Sequence, residues 1–184
     1  MRIINLRPEN ETLIRQVAAM LVEGFRQMAP DAWPDMESAL TEVRESLCAG
    51  RLSRVAVDGD GVAIAWIGGI RQYSGHVWEL HPMVVRRDQQ GRGIGRALVE
   101  DFEQRVIERG AQTILLGTDD ELGQTSLGNV DLYTDLGDRI RDIRNLGRHP
   151  YEFYQKLGFA IVGVLPDANG PGKPDIFMAK RVGK

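Results

Sequence analysis

The sequence predicts an α/β fold: a mixed β-sheet flanked by helices, its front half antiparallel. Three observations predict it. Two strand patterns, Arg54 to Val57 and Val62 to Ile70, are separated by Asp58-Gly59-Asp60-Gly61, a strong hairpin signal. The central stretch Trp78 to Leu98 reads WELHPMVVRRDQQGRGIGRAL. It runs from an apolar segment through a charged turn and three alternate glycines into an apolar-periodic helix. Beyond it, short apolar runs alternate with helical patterns, as in α/β chains.

The elements follow in order. Arg2 to Leu6 carries a short strand pattern that Pro8 stops. Asn10 is an N-cap for a helix from about Glu11, with Leu13, Val17, Met20 and Leu21 at helical spacing. Two prolines break the chain around Trp33, and a second helix is expected from Asp35 to Cys48, stopped by Gly50. After the hairpin, Tyr73-Ser74-Gly75 turns the chain into the central stretch, whose Val84 and Val85 suit a strand buried on both faces. The next helix ends near Gly110. Thr113 to Leu116 then reads as a buried strand leading into Thr118-Asp119-Asp120-Glu121. The segment from Gly123 to Asn145 is polar and irregular, with a helix near Asp135 to Arg144. His149 to Leu157 reads as a helix with Pro150 in its first turn. Strands at Phe159 to Val164 and Ile176 to Lys180 complete the order.

Bulk properties narrow the function classes. The 184 residues suffice for one domain with a substantial core, and we expect a single domain over residues 1–184. A net charge of −3 and a pI near 5.7 argue against nucleic acid as a partner. Cys48 is the only cysteine, so neither an intrachain disulfide nor a cysteine-based zinc site is expected, and we expect no metal. No signal-peptide pattern precedes the first strand and no apolar run reaches about 18 residues. The expectation is a cytoplasmic protein without a membrane partner.

A strand, a glycine loop and a helix N-terminus in succession make a site for anionic phosphate, because unpaired backbone N–H groups and the helix dipole converge there. A P-loop is excluded because Gly95-Arg96-Ala97 lacks the required Gly-Lys-Ser/Thr. A dinucleotide fingerprint fails in either register, since Arg96 or Leu98 stands where its third glycine or alanine belongs. The remaining pattern, Gln90-x-x-Gly93-x-Gly95 after a strand, resembles the pyrophosphate-binding motif of the GNAT N-acetyltransferases.

The resemblance extends further. Trp78-Glu79-Leu80-His81-Pro82, Gly117-Thr118-Asp119-Asp120 and His149-Pro150-Tyr151-Glu152-Phe153-Tyr154 are similar to stretches of the chromosomal, dimeric aminoglycoside 6'-N-acetyltransferases. So are Val162-Gly163-Val164-Leu165-Pro166 and Lys173-Pro174-Asp175-Ile176. The likeness runs from about Tyr73 to Arg181, while residues 1–50 match poorly. It implies the GNAT fold, acetyl-CoA as co-substrate, an aminoglycoside or other cationic amine as acceptor, and a homodimer.

It also implies roles. Amides of Gln90, Gly91, Arg92, Gly93, Ile94, Gly95 and Arg96 hold the coenzyme A pyrophosphate, with positive charge from Arg92 and Arg96. Met83, Val84 and Val85 pair through their main chain with the pantetheine arm, and the Met83 N–H polarises the thioester carbonyl. Glu79 removes the amine's proton or binds its cation; otherwise it is a solvent-facing strand carboxylate. His81, on the same strand face, assists or simply packs. Tyr154 gives a proton to the departing thiolate, or is a packing aromatic like Tyr151 and Phe153. Asp119, Asp120 and Glu121 are ammonium partners or a solvated loop. Trp33 and Tyr73 are sugar-contacting aromatics or packing residues. Cys48, expected buried or partly buried, has no basic neighbours that would make it a nucleophile, so transfer is direct within a ternary complex. The other readings are a GNAT enzyme for a polyamine, small metabolite or protein terminus, and a non-catalytic acyl-CoA-binding module.

Overall fold

The computed structural model describes residues 1–183, which divide into two compact units: residues 1–114 with 182–183, and Leu115–Arg181.

The first unit opens with β1 (Arg2–Asn5) and α1 (Glu11–Phe25). The Asn10 side chain accepts from the Leu13 amide at 3.1 Å, as an N-cap should. Next, α2 is shorter than its sequence pattern, Met36–Glu45. Asp35 and Ser38 cap its start reciprocally, and this draws the Asp35 carboxyl below the usual carboxylate range, mainly through the Ser38 amide. Cys48 therefore lies in a turn beyond the helix and is exposed, correcting the expected buried thiol.

β2 (Arg51–Val57) and β3 (Ala63–Gln72) form the hairpin. The Asp58 carboxylate closes its turn by accepting from the amides of Asp60 at 3.0 Å and Val62 at 2.9 Å. β4 (Val77–Val85) follows, and β1 to β4 run antiparallel in chain order. α3 (Ile94–Ile107) buries Leu98, Val99, Phe102 and Val106. Leu13, Val17, Ala18 and Leu21 of α1 form a core with Val55, Trp66 and Val84 of the sheet and Val43 of α2. The buried Arg54 guanidinium grips Asp101 of α3 at 2.6 and 2.9 Å, a bidentate pair invisible to sequence periodicity.

β4 corrects one expectation. It is buried on a single face: Trp78, Leu80, Pro82 and Val84 are inside, while Val77, Glu79, His81, Met83 and Val85 are half-exposed. Alternation in burial follows from the period of two, and the apolar run concealed it because half-exposed Val77, Met83 and Val85 are apolar too.

The second unit takes up β5 (Thr113–Asp119), which begins at the end of the first and runs three residues past its apolar pattern. It continues through α4 (Leu136–Arg141), α5 (Tyr151–Gln155), β6 (Ala160–Leu165) and β7 (Asp175–Arg181). β5, β7 and β6 lie in that spatial order, with β6 and β7 antiparallel. Both α4 and α5 are shorter than predicted, and Pro150 sits at the N-cap of α5. No helix among the described residues is long and apolar enough to cross a membrane.

Candidate active site

The pairing of β3 with β4 carries a fault at its centre. Ile67 faces Met83 and Gly69 faces Leu80, so Gly68 alone opposes both His81 and Pro82. This is a β-bulge, which bends the strand and re-aims its side chains. Gly68 permits it because a Cβ there would stand 2.4 Å from the His81 carbonyl oxygen. The next residue, Gly69, makes room for the Phe102 ring of α3, which would lie 2.4 Å from an added Cβ. Neither glycine was singled out from sequence, although paired glycines inside an apolar strand pattern are a bulge signal.

Glu79, His81 and Met83 share the half-exposed face. Glu79 accepts from the Gln72 side-chain amide at 3.1 Å, and among the described residues no cationic nitrogen lies within 4.0 Å of its carboxylate. The His81 ring is 6.1 Å from Trp33, whose edge meets Phe25 at 4.6 Å. Trp33 thus joins the N-terminal helical region to His81. It also lines an open cavity of about 440 Å³ rimmed by Asp35, Glu37, Glu42 and Glu45, a surface suited to a cation. Tyr73 is 75% exposed, which excludes core packing for its ring. Both it and Ser74 take left-handed backbone, φ 45° and 57°, uncommon outside glycine and costly by about 1 kcal/mol or more each.

The Gln90 amide turns back to the Arg87 carbonyl at 3.4 Å, whereas from Gly91 to Arg96 the loop amides have no acceptor among the described residues. Gly93 is the left-handed N-cap of α3, with φ 80° and no side-chain cap. The first helical bond runs from the Ala97 N–H to the Gly93 carbonyl at 3.0 Å, so the amides of Ile94, Gly95 and Arg96 have no intrahelical acceptor. Space outside Gly91 and Gly93 is open, since an added Cβ on either would meet nothing within 4 Å. Such a cradle fits an anionic phosphate group. Gln90 is placed differently from the backbone amides around it: its side chain donates to the Val85 carbonyl at 3.1 Å and ties the loop to the end of β4. Arg92 reaches Gln89 at 3.3 Å and Arg96 stands 3.7 Å from Glu100; both remain exposed. Val84 points into the core towards α1, so only its backbone is on offer to a ligand. Ahead of the loop, Arg86 clasps Asp88 and its hydrogen bonds pull that carboxyl down to about 2.

In the second unit the three acids separate. Asp119 is exposed and accepts from the Asn169 side chain at 2.5 Å. Asp120 is 1% exposed and accepts from the Gln124 amide and from the amide and hydroxyl of Thr125. Its carboxylate holds the following loop, which corrects the expectation of a substrate contact; a fully bonded, buried carboxylate has nothing left for an ammonium. Glu121 is half-buried, 4.0 Å from the Lys173 ammonium. Tyr154 is 8% exposed and packs edge-on against Phe153 and Phe159, while its hydroxyl makes no hydrogen bond among the described residues. Burial pushes that phenol well above its ordinary value. His149, in the stretch that carries the resemblance, is also buried: Nε2 donates to the Asp119 carbonyl at 3.0 Å and Nδ1 accepts from the Tyr151 amide. This bonding fixes one neutral tautomer, and burial lowers its pKa. No group of three His, Cys, Asp or Glu among the described residues is placed to hold a metal ion.

Known proteins supply an independent comparison. Curated proteins yielded no match. The crystal structure of an aminoglycoside 6'-N-acetyltransferase complexed with coenzyme A is 42% identical, covers 99% of this chain and 97% of its own, and superposes with a TM-score of 0.91. The enzyme of that name from Enterococcus faecium is also 42% identical over the same shares, with a TM-score of 0.88. An aminoglycoside 6'-acetyltransferase type Ii is 37% identical with a TM-score of 0.75, again over 99% and 97%. The acetyltransferase (GNAT) family matches residues 17–137, the segment that contains the bulged strand, the uncapped glycine loop and the acidic turn. With two-thirds of its length inside that match, and with near-complete coverage by homologues at 42% identity, this chain belongs to the GNAT family of acetyltransferases.

Proposed function

We propose that this protein is an aminoglycoside 6'-N-acetyltransferase, moving an acetyl group from acetyl-CoA to the 6'-amine of the antibiotic. The observation that carries the reading is the likeness over nearly the whole chain to an enzyme of that name complexed with coenzyme A. Several features support it: unpaired amides at the start of α3, the uncompensated Glu79 carboxylate, and the acidic cavity beside Trp33.

The co-substrate supplies an activated acetyl thioester. The chain's own groups do the rest. Amides from Gly91 to Arg96 hold the pyrophosphate, with Arg92 and Arg96 close to the phosphates and the Gln90 side chain keeping the loop in place. Backbone groups of Met83, Val84 and Val85 align the pantetheine arm, and the Met83 N–H stabilises negative charge developing on the thioester oxygen. Glu79 takes a proton from the 6'-ammonium, directly or through water, with His81 assisting. As the C–N bond forms and the C–S bond breaks, Tyr154 gives its phenolic proton to the thiolate, and the second proton lost from the acylated nitrogen, carried directly or through water, restores the phenol. A phenol is protonated at neutral pH, and burial disfavours its anion further. Trp33 and Tyr73 contact sugar rings, and Asp119 and Glu121 receive the acceptor's other ammonium groups. The chain works as a single domain in a cytoplasmic homodimer, and acetylation confers antibiotic resistance by removing positive charge from the drug.

Thiol release from acetyl-CoA with kanamycin, and none with a 6'-hydroxyl analogue, is the expected result. Turnover of a polyamine or a protein terminus but not of kanamycin would replace this reading with a GNAT enzyme for another amine. No turnover with any amine would favour an acyl-CoA-binding module.

A further inference from the structure

Glu79 reaches half-exposure on β4 with one partner among the described residues, the amide of Gln72. The register explains why these two meet. Gln72 faces Val77 and Ile70 faces Glu79, so Gln72 and Glu79 are diagonal neighbours on the same sheet face, within reach of long side chains. Gln72 is the last residue of β3, where the strand turns into the strained Tyr73-Ser74 corner. Its own backbone is extended, φ −120° and ψ 162°, so the side chain is fixed by the sheet and not by the turn.

We infer that Gln72 is a positioning residue for the acceptor amine, holding the Oε2 edge of Glu79 with a neutral donor so that Oε1 faces the ammonium. The inference rests on the proposed role of Glu79. A neutral amide is the donor this task needs. Lysine or arginine at the same place would also fix the carboxylate, but would neutralise it and compete with the substrate cation. An apolar residue would leave it without a hydrogen-bond donor and free to rotate. Among the described residues no cationic nitrogen lies within 4.0 Å of the Glu79 carboxylate, so the arriving ammonium meets it without a competitor from these residues.

The test uses Gln72→Leu, Gln72→Lys and Glu79→Gln in the full-length protein, each checked by its melting temperature. Turnover is measured with kanamycin and acetyl-CoA. Gln72→Leu is expected to lower kcat/KM for kanamycin about tenfold, the scale of a lost hydrogen bond to a charged group, with the KM for acetyl-CoA within twofold of the parent. Gln72→Lys is expected to fall further, chiefly through a raised kanamycin KM. In a Glu79→Gln background the Gln72→Leu change should shrink to less than twofold, because the two act as one unit. Undiminished turnover in Glu79→Gln would overturn both the role of Glu79 and this inference. A crippled Glu79→Gln beside an unaffected Gln72→Leu would overturn the inference alone. So would equal losses for kanamycin and acetyl-CoA in Gln72→Leu, which a merely structural role produces.

Discussion

Replacing Gly68 by alanine tests whether the bulge in β4 positions the reacting groups. The added Cβ would sit 2.4 Å from the His81 carbonyl oxygen and 3.2 Å from its carbon, against the 3.4 Å at which ordinary contact begins, a shortfall of about 1 Å. The obstacle is backbone, so it cannot be relieved by a side-chain rotation. The segment carrying His81, Pro82 and Met83 has to move. Overpacking of this kind costs about 1–3 kcal/mol, or a melting point lowered by roughly 2–12 °C in a chain of this size. Displacing aligned groups by about 1 Å costs on the order of 100-fold in turnover. Steady-state kinetics with kanamycin should therefore show kcat reduced about 100-fold in protein that is still folded by circular dichroism. Gly59→Ala is the control: nothing lies within 4 Å of a Cβ there, and it should match the parent in both measurements. A Gly68→Ala protein with kcat within threefold of the parent would refute the positioning argument. A loss confined to stability would make the glycine a packing requirement only.

Other outcomes follow from the same geometry. Tyr154→Phe should lower kcat by about 10- to 100-fold in single-turnover experiments while leaving acetyl-CoA affinity within twofold, since only the hydroxyl is removed from a ring that keeps its contacts with Phe153 and Phe159. Asp120→Ala should cost about 3 kcal/mol in urea denaturation by stranding the amides of Gln124 and Thr125, with more loss of fold than rise in kanamycin KM. Asp119→Asn should do the reverse and raise the kanamycin KM with little change in stability, since its carboxylate is exposed. His149 gives a pH dependence. Burial lowers its pKa below the unfolded 6.5, although the Asp119 carbonyl and the charges of Asp119 and Asp120 oppose that shift. Below pH 6.5 the unfolded chain binds a proton that the folded one refuses. Stability is then complete above that pH and falls by up to about 1.4 kcal/mol per unit beneath it. Melting temperatures between pH 7.5 and 5.5 should fall more steeply for the parent than for His149→Gln; parallel curves would contradict the assignment.

Much of the architecture was legible in the residues because it depends on local rules. The Asp58-Gly59-Asp60-Gly61 turn, the Asn10 cap and the Gly93 loop are each specified by a few neighbours whose backbone preferences are strong. Where the sequence misled, backbone bonding or tertiary neighbours decided. Helix ends at Glu45 and Gln155 fell short of their apolar patterns because pattern marks which side chains are buried, not where backbone bonding stops. Asp119, Asp120 and Glu121 look alike as a string, yet one is exposed, one is bonded into its loop and one stands near a lysine. Asp120 is bonded by its near neighbours Gln124 and Thr125, but Asn169 and Lys173, which meet Asp119 and Glu121, lie far beyond any window around the acids. Sequence by itself determined the hairpin, the anion cradle and the strand that leads into it. Tertiary structure alone decided that Gly68 makes a bulge beneath His81, that Gln72 meets Glu79 across two strands, and that Arg54 is buried against Asp101. The physical reason is the same for all three: strand register and helix docking join residues far apart in the chain, and neither is written in the spacing of any one element.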